Sequence, residues 1–206
     1  MKRQTKNLIF ISLLVIISGC SSNESNEPGY SDFFVVDKSK LAAEITDQNL
    51  GISFQPPIGW AFQSAELSKK IESRNKLNTA EAKNFQYQPT YLFFSDSTFS
   101  LLSIGSVDYP DSTMPVQMKI NLYKNLLSNK LQKDKLSIGT FKKSNINFFQ
   151  FRSEKESFVN YKIIFQNLAG QIVQFDCTLT KQNAEGELHQ LKSFLGSVSL
   201  IKFLNN

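Results

Sequence analysis

Apolar positions recur along this chain with more than one spacing, and each spacing predicts a different kind of element. Val159, Tyr161, Ile163 and Phe165 occupy every second position, as do Val173, Phe175, Cys177 and Leu179. That is the period of a strand with one face buried. Val116, Ile120, Tyr123, Leu127 and Leu131 recur at steps of three and four, and Leu188, Leu191, Phe194 and Leu195 share a second stripe. Both stripes fit helices lying on a core. A third pattern is the near-continuous apolar run Leu8 to Ile17, broken only by Ser12.

Turn-forming residues divide the alternating segments into hairpins. Strands are predicted over 90–94 and 99–107 around Ser95-Asp96-Ser97-Thr98, over 136–142 and 146–153 around Lys143-Ser144-Asn145, and over 158–166 and 171–179 around Asn167-Leu168-Ala169-Gly170. Phe149 and Phe151 share a strand with Ile146 and Phe148 but supply apolar side chains to the other face, which implies a sheet covered on both sides. The covering helices are predicted over 115–132 and 183–195, with Pro115 in a first turn, Asn183 as N-cap and Gly196 just past the end. Earlier segments are less marked. Residues 33–36 suit a short strand or the end of a linker, 37–46 have modest helical character, and 50–54 form a short strand. Pro56-Pro57-Ile58-Gly59-Trp60 is a turn, and 64–75 suit a polar surface helix with Leu67 and Ile71 four apart. The pattern describes an α+β layered domain with an antiparallel sheet, occupying 33–206 as one domain.

The run at 8–17 changes the picture of the N-terminus. Lys2, Arg3 and Lys6 precede it, and Ile17-Ser18-Gly19-Cys20 closes it. A basic start, a short apolar stretch and small residues form a secretory signal, and the run falls short of the ~20 residues of a spanning helix. Ile17-Ser18-Gly19-Cys20 resembles the lipobox of bacterial lipoproteins. The resemblance implies cleavage between Gly19 and Cys20, diacylglycerol on the Cys20 thiol and a further acyl chain such as palmitate on the new amine. The membrane is then a partner through that lipid. Residues 1–19 would be the signal peptide, and 20–32, rich in Ser, Asn and Glu with Pro28 and Gly29, a flexible tether. The expected location is the cell envelope. Ser21, where Asp resembles an inner-membrane retention signal, favours the outer membrane if the host is Gram-negative.

Charge and composition then narrow the chemistry. The chain carries 23 basic and 18 acidic side chains, and without the three basic residues of the signal the balance is 20 against 18. No Lys/Arg cluster remains that argues for nucleic acid, and Lys69-Lys70 and Lys142-Lys143 read as solvated surface. Cys177 is the one cysteine besides Cys20, and its place on an apolar strand face makes it a buried structural thiol. His189 is the single histidine, expected on the surface, so no multi-histidine metal site is available. No nucleophile elbow, phosphate loop or dinucleotide fingerprint occurs, so no enzyme and no cofactor is implied. Asp108-Tyr109-Pro110-Asp111 places two acids around a turn without the spacing of a calcium loop. Asp96-Ser97-Thr98 and Asp111-Ser112-Thr113 resemble an O-glycosylation acceptor of some Bacteroidetes.

Three segments resemble the PsbP-like superfamily: Leu50-Gly51-Ile52-Ser53-Phe54-Gln55-Pro56-Pro57-Ile58-Gly59-Trp60, the long helix followed by the meander at 136–179, and the closing Phe194-Leu195-Gly196-Ser197-Val198. The resemblance covers about residues 50–200. It implies an α/β/α sandwich with a central antiparallel sheet. Its members, DcrB-type envelope lipoproteins among them, act mostly by docking to other proteins. The expected function is therefore a lipid-anchored, non-enzymatic protein-protein interaction module with an unidentified envelope protein as partner. Trp60, Tyr109 and Met114 are the candidate interaction surface, although Trp60 also suits packing of its turn onto the sheet. The alternatives are a carrier or sensor of a small apolar ligand and an enzyme of unfamiliar type.

Overall fold

Residues 36–63, 67, 70, 85–109, 113–132 and 134–202 are described in the computed structural model. The expected signal peptide, the expected cleavage pair Gly19-Cys20, the expected lipidation site Cys20 and the expected tether lie outside the described residues. So do the expected strand at 33–36 except Val36, and the expected helix at 64–75 except Leu67 and Lys70. In chain order the elements are β1 (Ile45–Asp47), β2 (Ile52–Phe54), β3 (Ala61–Phe62), β4 (Gln86–Ser95), β5 (Ser100–Asp108), helix α1 (Val116–Leu131), β6 (Lys135–Lys143), β7 (Ile146–Glu154), β8 (Phe158–Gln166), β9 (Ile172–Thr180), helix α2 (Ala184–Ser197) and β10 (Ser199–Leu200).

The alternating segments build a seven-stranded sheet in the order β3-β4-β5-β9-β8-β7-β6, antiparallel throughout. The meander β6 to β9 brings β9 back beside β5, so those two strands lie inside the sheet. Because side chains alternate along a strand, each face collects its own core. One face holds Phe148, Phe165, Phe175, Cys177 and Leu179, covered by Leu191, Phe194 and Leu195 of α2 and by Ile52 and Phe54 of β2. The other holds Leu92, Val107, Phe151, Ile164 and Ile172, covered by Ile120, Tyr123 and Leu127 of α1. The fold is α+β with helices on both faces of an antiparallel sheet, as the pattern predicts.

A row of aromatic rings runs through the first core. Phe148, Phe165, Phe175, Phe194 and Phe54 meet in succession at centroid distances of 5.0, 5.2, 5.1 and 6.0 Å. Each pair adds about 0.5–1.5 kcal/mol beyond the burial of its area. Cys177 sits among these residues, and burial pushes its thiol well above the usual range, as befits a structural cysteine.

Several expectations are corrected. Residues 37–46 form no α-helix. Asp37 accepts from the Ser39 amide at 3.0 Å and starts a single 3-10 turn, Lys38–Lys40. Ile45 then pairs with Phe54, and β1, β2 and β10 make a second, three-stranded sheet. Strands β3 and β10 carry no sequence signal, being two residues long. Gly196 is inside α2 rather than past its end, and Asn183 makes no side-chain cap. Asn183 Nδ2 instead donates to Thr180 Oγ1 at 3.2 Å. The end of α2 is closed by Lys143, whose ammonium donates to the carbonyls of Gly196 and, at 2.7 Å, Val198. Lys143 is therefore a helix cap and not solvated surface, a favourable place for a cation. Strand β4 is longer than expected and carries a bulge between Pro89 and Tyr91. At that point Gly105 comes so close that a Cβ on it would lie 2.0 Å from the Gln88 carbonyl oxygen.

Candidate functional site

Among the described residues, two groups of charged and hydroxyl side chains beside the large sheet are tied into the fold. Under α1, the Tyr87 hydroxyl is 2.7 Å from Ser103 Oγ, and Tyr123 donates to Gln174 Oε1 at 2.6 Å. Gln174 Nε2 donates to Asp176 Oδ2 at 3.1 Å, and Asp176 pairs with Lys162. Burial pushes both tyrosines well above their usual pKa, so both stay protonated: the Tyr123 hydroxyl fixes α1 to the sheet, and that of Tyr87 links β4 to β5. The second group lies at the first turn of α2. Glu187 is 5% exposed and accepts hydrogen bonds from the hydroxyls of Thr98 and Ser100 on the β4–β5 turn. A buried carboxylate with two hydroxyl donors fastens that turn to the helix.

The fastened turn has an unusual residue at its centre. Phe99 lies between Thr98 and Ser100 with φ +57°, in the left-handed region, and is 69% exposed. For an L-residue with a Cβ that backbone costs roughly 1–2 kcal/mol. The ring leans on Phe94 at 6.3 Å, with most of its surface in solvent. Phe158 is also exposed and pairs with Thr180, whose hydroxyl donates to the Thr98 carbonyl at 3.1 Å. Sequence reasoning missed this site because it placed Phe99 inside a strand. The readable signal was an aromatic directly after Asp96-Ser97-Thr98.

Of the expected surface residues, Trp60 and Tyr109 lie apart. Trp60 follows the Pro56-Pro57 turn, where Gly59 takes φ +79°. It packs half-buried against the first core, its indole N–H donating to Gln190 Oε1 of α2 at 3.1 Å. Tyr109 packs against the second core, 4.5 Å from the Phe85 ring. Met114 is half-buried just ahead of α1. Trp60 and Tyr109 therefore belong to opposite faces of the sheet. Beside Trp60, Phe62 is 64% exposed and stands 5.9 Å from Phe93 and 6.3 Å from Tyr91.

Other candidates fall on the surface or outside the described residues. His189 is exposed. Asp108 accepts from Gln88 Nε2 at 2.7 Å, and Asp111 lies outside the described residues. Arg152 meets Glu154 at 2.5 Å and its hydrogen bond holds that carboxyl below the usual range. Among the described residues no group of three or more His, Cys, Asp or Glu is arranged to hold a metal ion, and no helix is long and apolar enough to cross a membrane.

No protein-family model matches the chain. No curated protein matches it. Among solved structures the chain is similar to the solution structure of cyanobacterial PsbP (CyanoP) from Synechocystis sp. PCC 6803, at 11% identity over 78% of this chain and 93% of that one, with a TM-score of 0.48.

Proposed function

We propose that this chain is a lipid-anchored cell-envelope protein whose domain is a non-enzymatic docking module for another envelope protein. The lipid would sit on Cys20, in the outer membrane where the host has two. The observation that carries the docking part is the Phe99 turn. A large aromatic is held out into water on a strained backbone, and the residues on either side of it are fastened by buried Glu187. Rigid aromatics are favoured as binding anchors, because little freedom is lost when they enter a partner's pocket. A strained residue kept by its surroundings is also a reason to look for a role.

The test is crosslinking in cells. A photoreactive phenylalanine replaces Phe99 in the full chain, and Cys20→Ala is the control for anchoring. One dominant envelope protein captured at position 99, and lost in the Cys20→Ala chain, is the expected result. Capture that is equally strong from a site on β6, or no reproducible partner, would sink the docking role of Phe99.

A further inference from the structure

A second exposed apolar group lies where the chain enters the domain. Val36, Ile58 and Phe62 are 37%, 51% and 64% exposed. Backbone bonds tie the entering segment to the turn that carries Ile58 and Trp60. Ala42 N–H donates to the Pro56 carbonyl, and Ile58 N–H to the Lys40 carbonyl, both at 2.8 Å. Leu41 bridges to Pro57. The same segment is held to α2, where the Asp37 amide donates to Ser193 Oγ at 3.2 Å, and Trp60 is bonded to Gln190 of that helix. The entering segment, Ile58 and Trp60 thus lie together beside α2, and Phe62 follows two residues on in β3, its ring against Phe93 and Tyr91. Lys38 and Lys40 are exposed on the entering segment. The carboxylate of Asp37 is taken up by Ser39.

We propose that a rim of Val36, Ile58, Trp60 and Phe62 rests on the lipid bilayer that holds the Cys20 anchor, seating the domain at the headgroup–acyl boundary. The proposal rests on the anchoring part of the function above. Only the chain between Cys20 and Val36 separates the rim from the lipid, a reach of at most about 55 Å when fully extended. Tethering keeps the membrane at high effective concentration, so a small apolar contact is enough to orient the domain. The composition suits lipid: tryptophan is favoured at the boundary, phenylalanine and isoleucine bury apolar surface just below it, and flanking lysines meet anionic headgroups. Phe99 belongs to a different turn, on β4–β5, and is left to a protein partner.

Trp60 is the sole tryptophan, so its emission reports on the rim directly. The lipidated full chain is reconstituted in vesicles of phosphatidylethanolamine and phosphatidylglycerol, with and without acyl chains brominated near the headgroup. The expected result is a blue-shifted emission quenched by the brominated lipid, with most of that quenching lost in Ile58→Glu and Phe62→Glu chains that still float with the vesicles. Flotation with Trp60 unquenched overturns the seating while the anchor stands. Equal quenching in the Glu variants overturns the assignment to this rim. A photoreactive phenylalanine at position 62 that captures one protein in native membranes, with Trp60 unquenched by brominated lipid in the vesicles, assigns the rim to a protein and overturns the lipid. A chain with no lipid on Cys20 that does not float fails the anchoring reading and this inference with it.

Discussion

Phe99 sets two requirements against each other. Its φ of +57° is a position for glycine, and its ring gains little from the fold because it is mostly in water. Phe99→Gly should therefore raise stability by about 1 kcal/mol, seen as a higher urea midpoint, while removing partner capture. A variant that loses stability would show that the ring is held by the fold and not kept for a partner. Little of this was legible in the sequence. A period-two pattern assigns an aromatic to a strand, and nothing local announces that Glu187, far along the chain, will bind the hydroxyls on both sides of it. The apolar side chains were easier. The alternation around Cys177 and the stripe at Leu191, Phe194 and Leu195 both specify burial, because a one-residue slip would expose the whole set.

At the scale of elements, the meander and both helices were readable because each has a clean period and bounded turns. The elements that escaped are too short to have a period. β3 and β10 exist because β4 and β2 offer backbone partners, not because their own residues favour strands. Close approach between strands is also invisible in sequence, and two glycines differ in it. At Gly105 an added Cβ meets the backbone of Gln88, which has no room to move, whereas at Gly139 in edge strand β6 it meets nothing within 4 Å. Gly105→Ala is expected to cost about 3 kcal/mol or more and to disturb the β4–β5 bulge. Gly139→Ala should be neutral or slightly stabilising, since it restricts the unfolded chain. Urea unfolding of the two variants side by side checks the contrast. Similar losses in both would mean that β4 can shift to accept the methyl group.

For the whole molecule, the tyrosines link packing to pH. Burial raises Tyr87 and Tyr123 well above their usual 10.0. Burial, with a hydrogen bond to Asp47, pushes Tyr91 up to about 12. Between pH 10 and 12 the unfolded chain loses these protons while the folded chain keeps them. Stability is then fully present below pH 10 and falls as pH rises toward and through 12. The expected observation is a cooperative alkaline unfolding in which tyrosinate absorbance from these residues appears together with the loss of circular dichroism. Ionisation of all the tyrosines before any unfolding would show that the hydroxyls under α1 and beside Asp47 are open to hydroxide.

The small sheet also governs how the molecule answers a mechanical load. β1 and β2 are antiparallel neighbours joined by a short connection, so tension applied ahead of residue 36 pulls β1 away from β2 at the open end of their hairpin. Hydrogen bonds loaded in that geometry give way one after another instead of sharing the force. The bonds from Ala42 to Pro56 and from Ile58 to Lys40 lie at that same end and yield with them. None of these bonds belongs to the seven-stranded sheet, although Leu41 packs in its core and Asp37 is held to Ser193 of α2. Under a pull from the N-terminal side, residues 36–47 are therefore expected to unzip first, ahead of the layered core and the Phe99 turn.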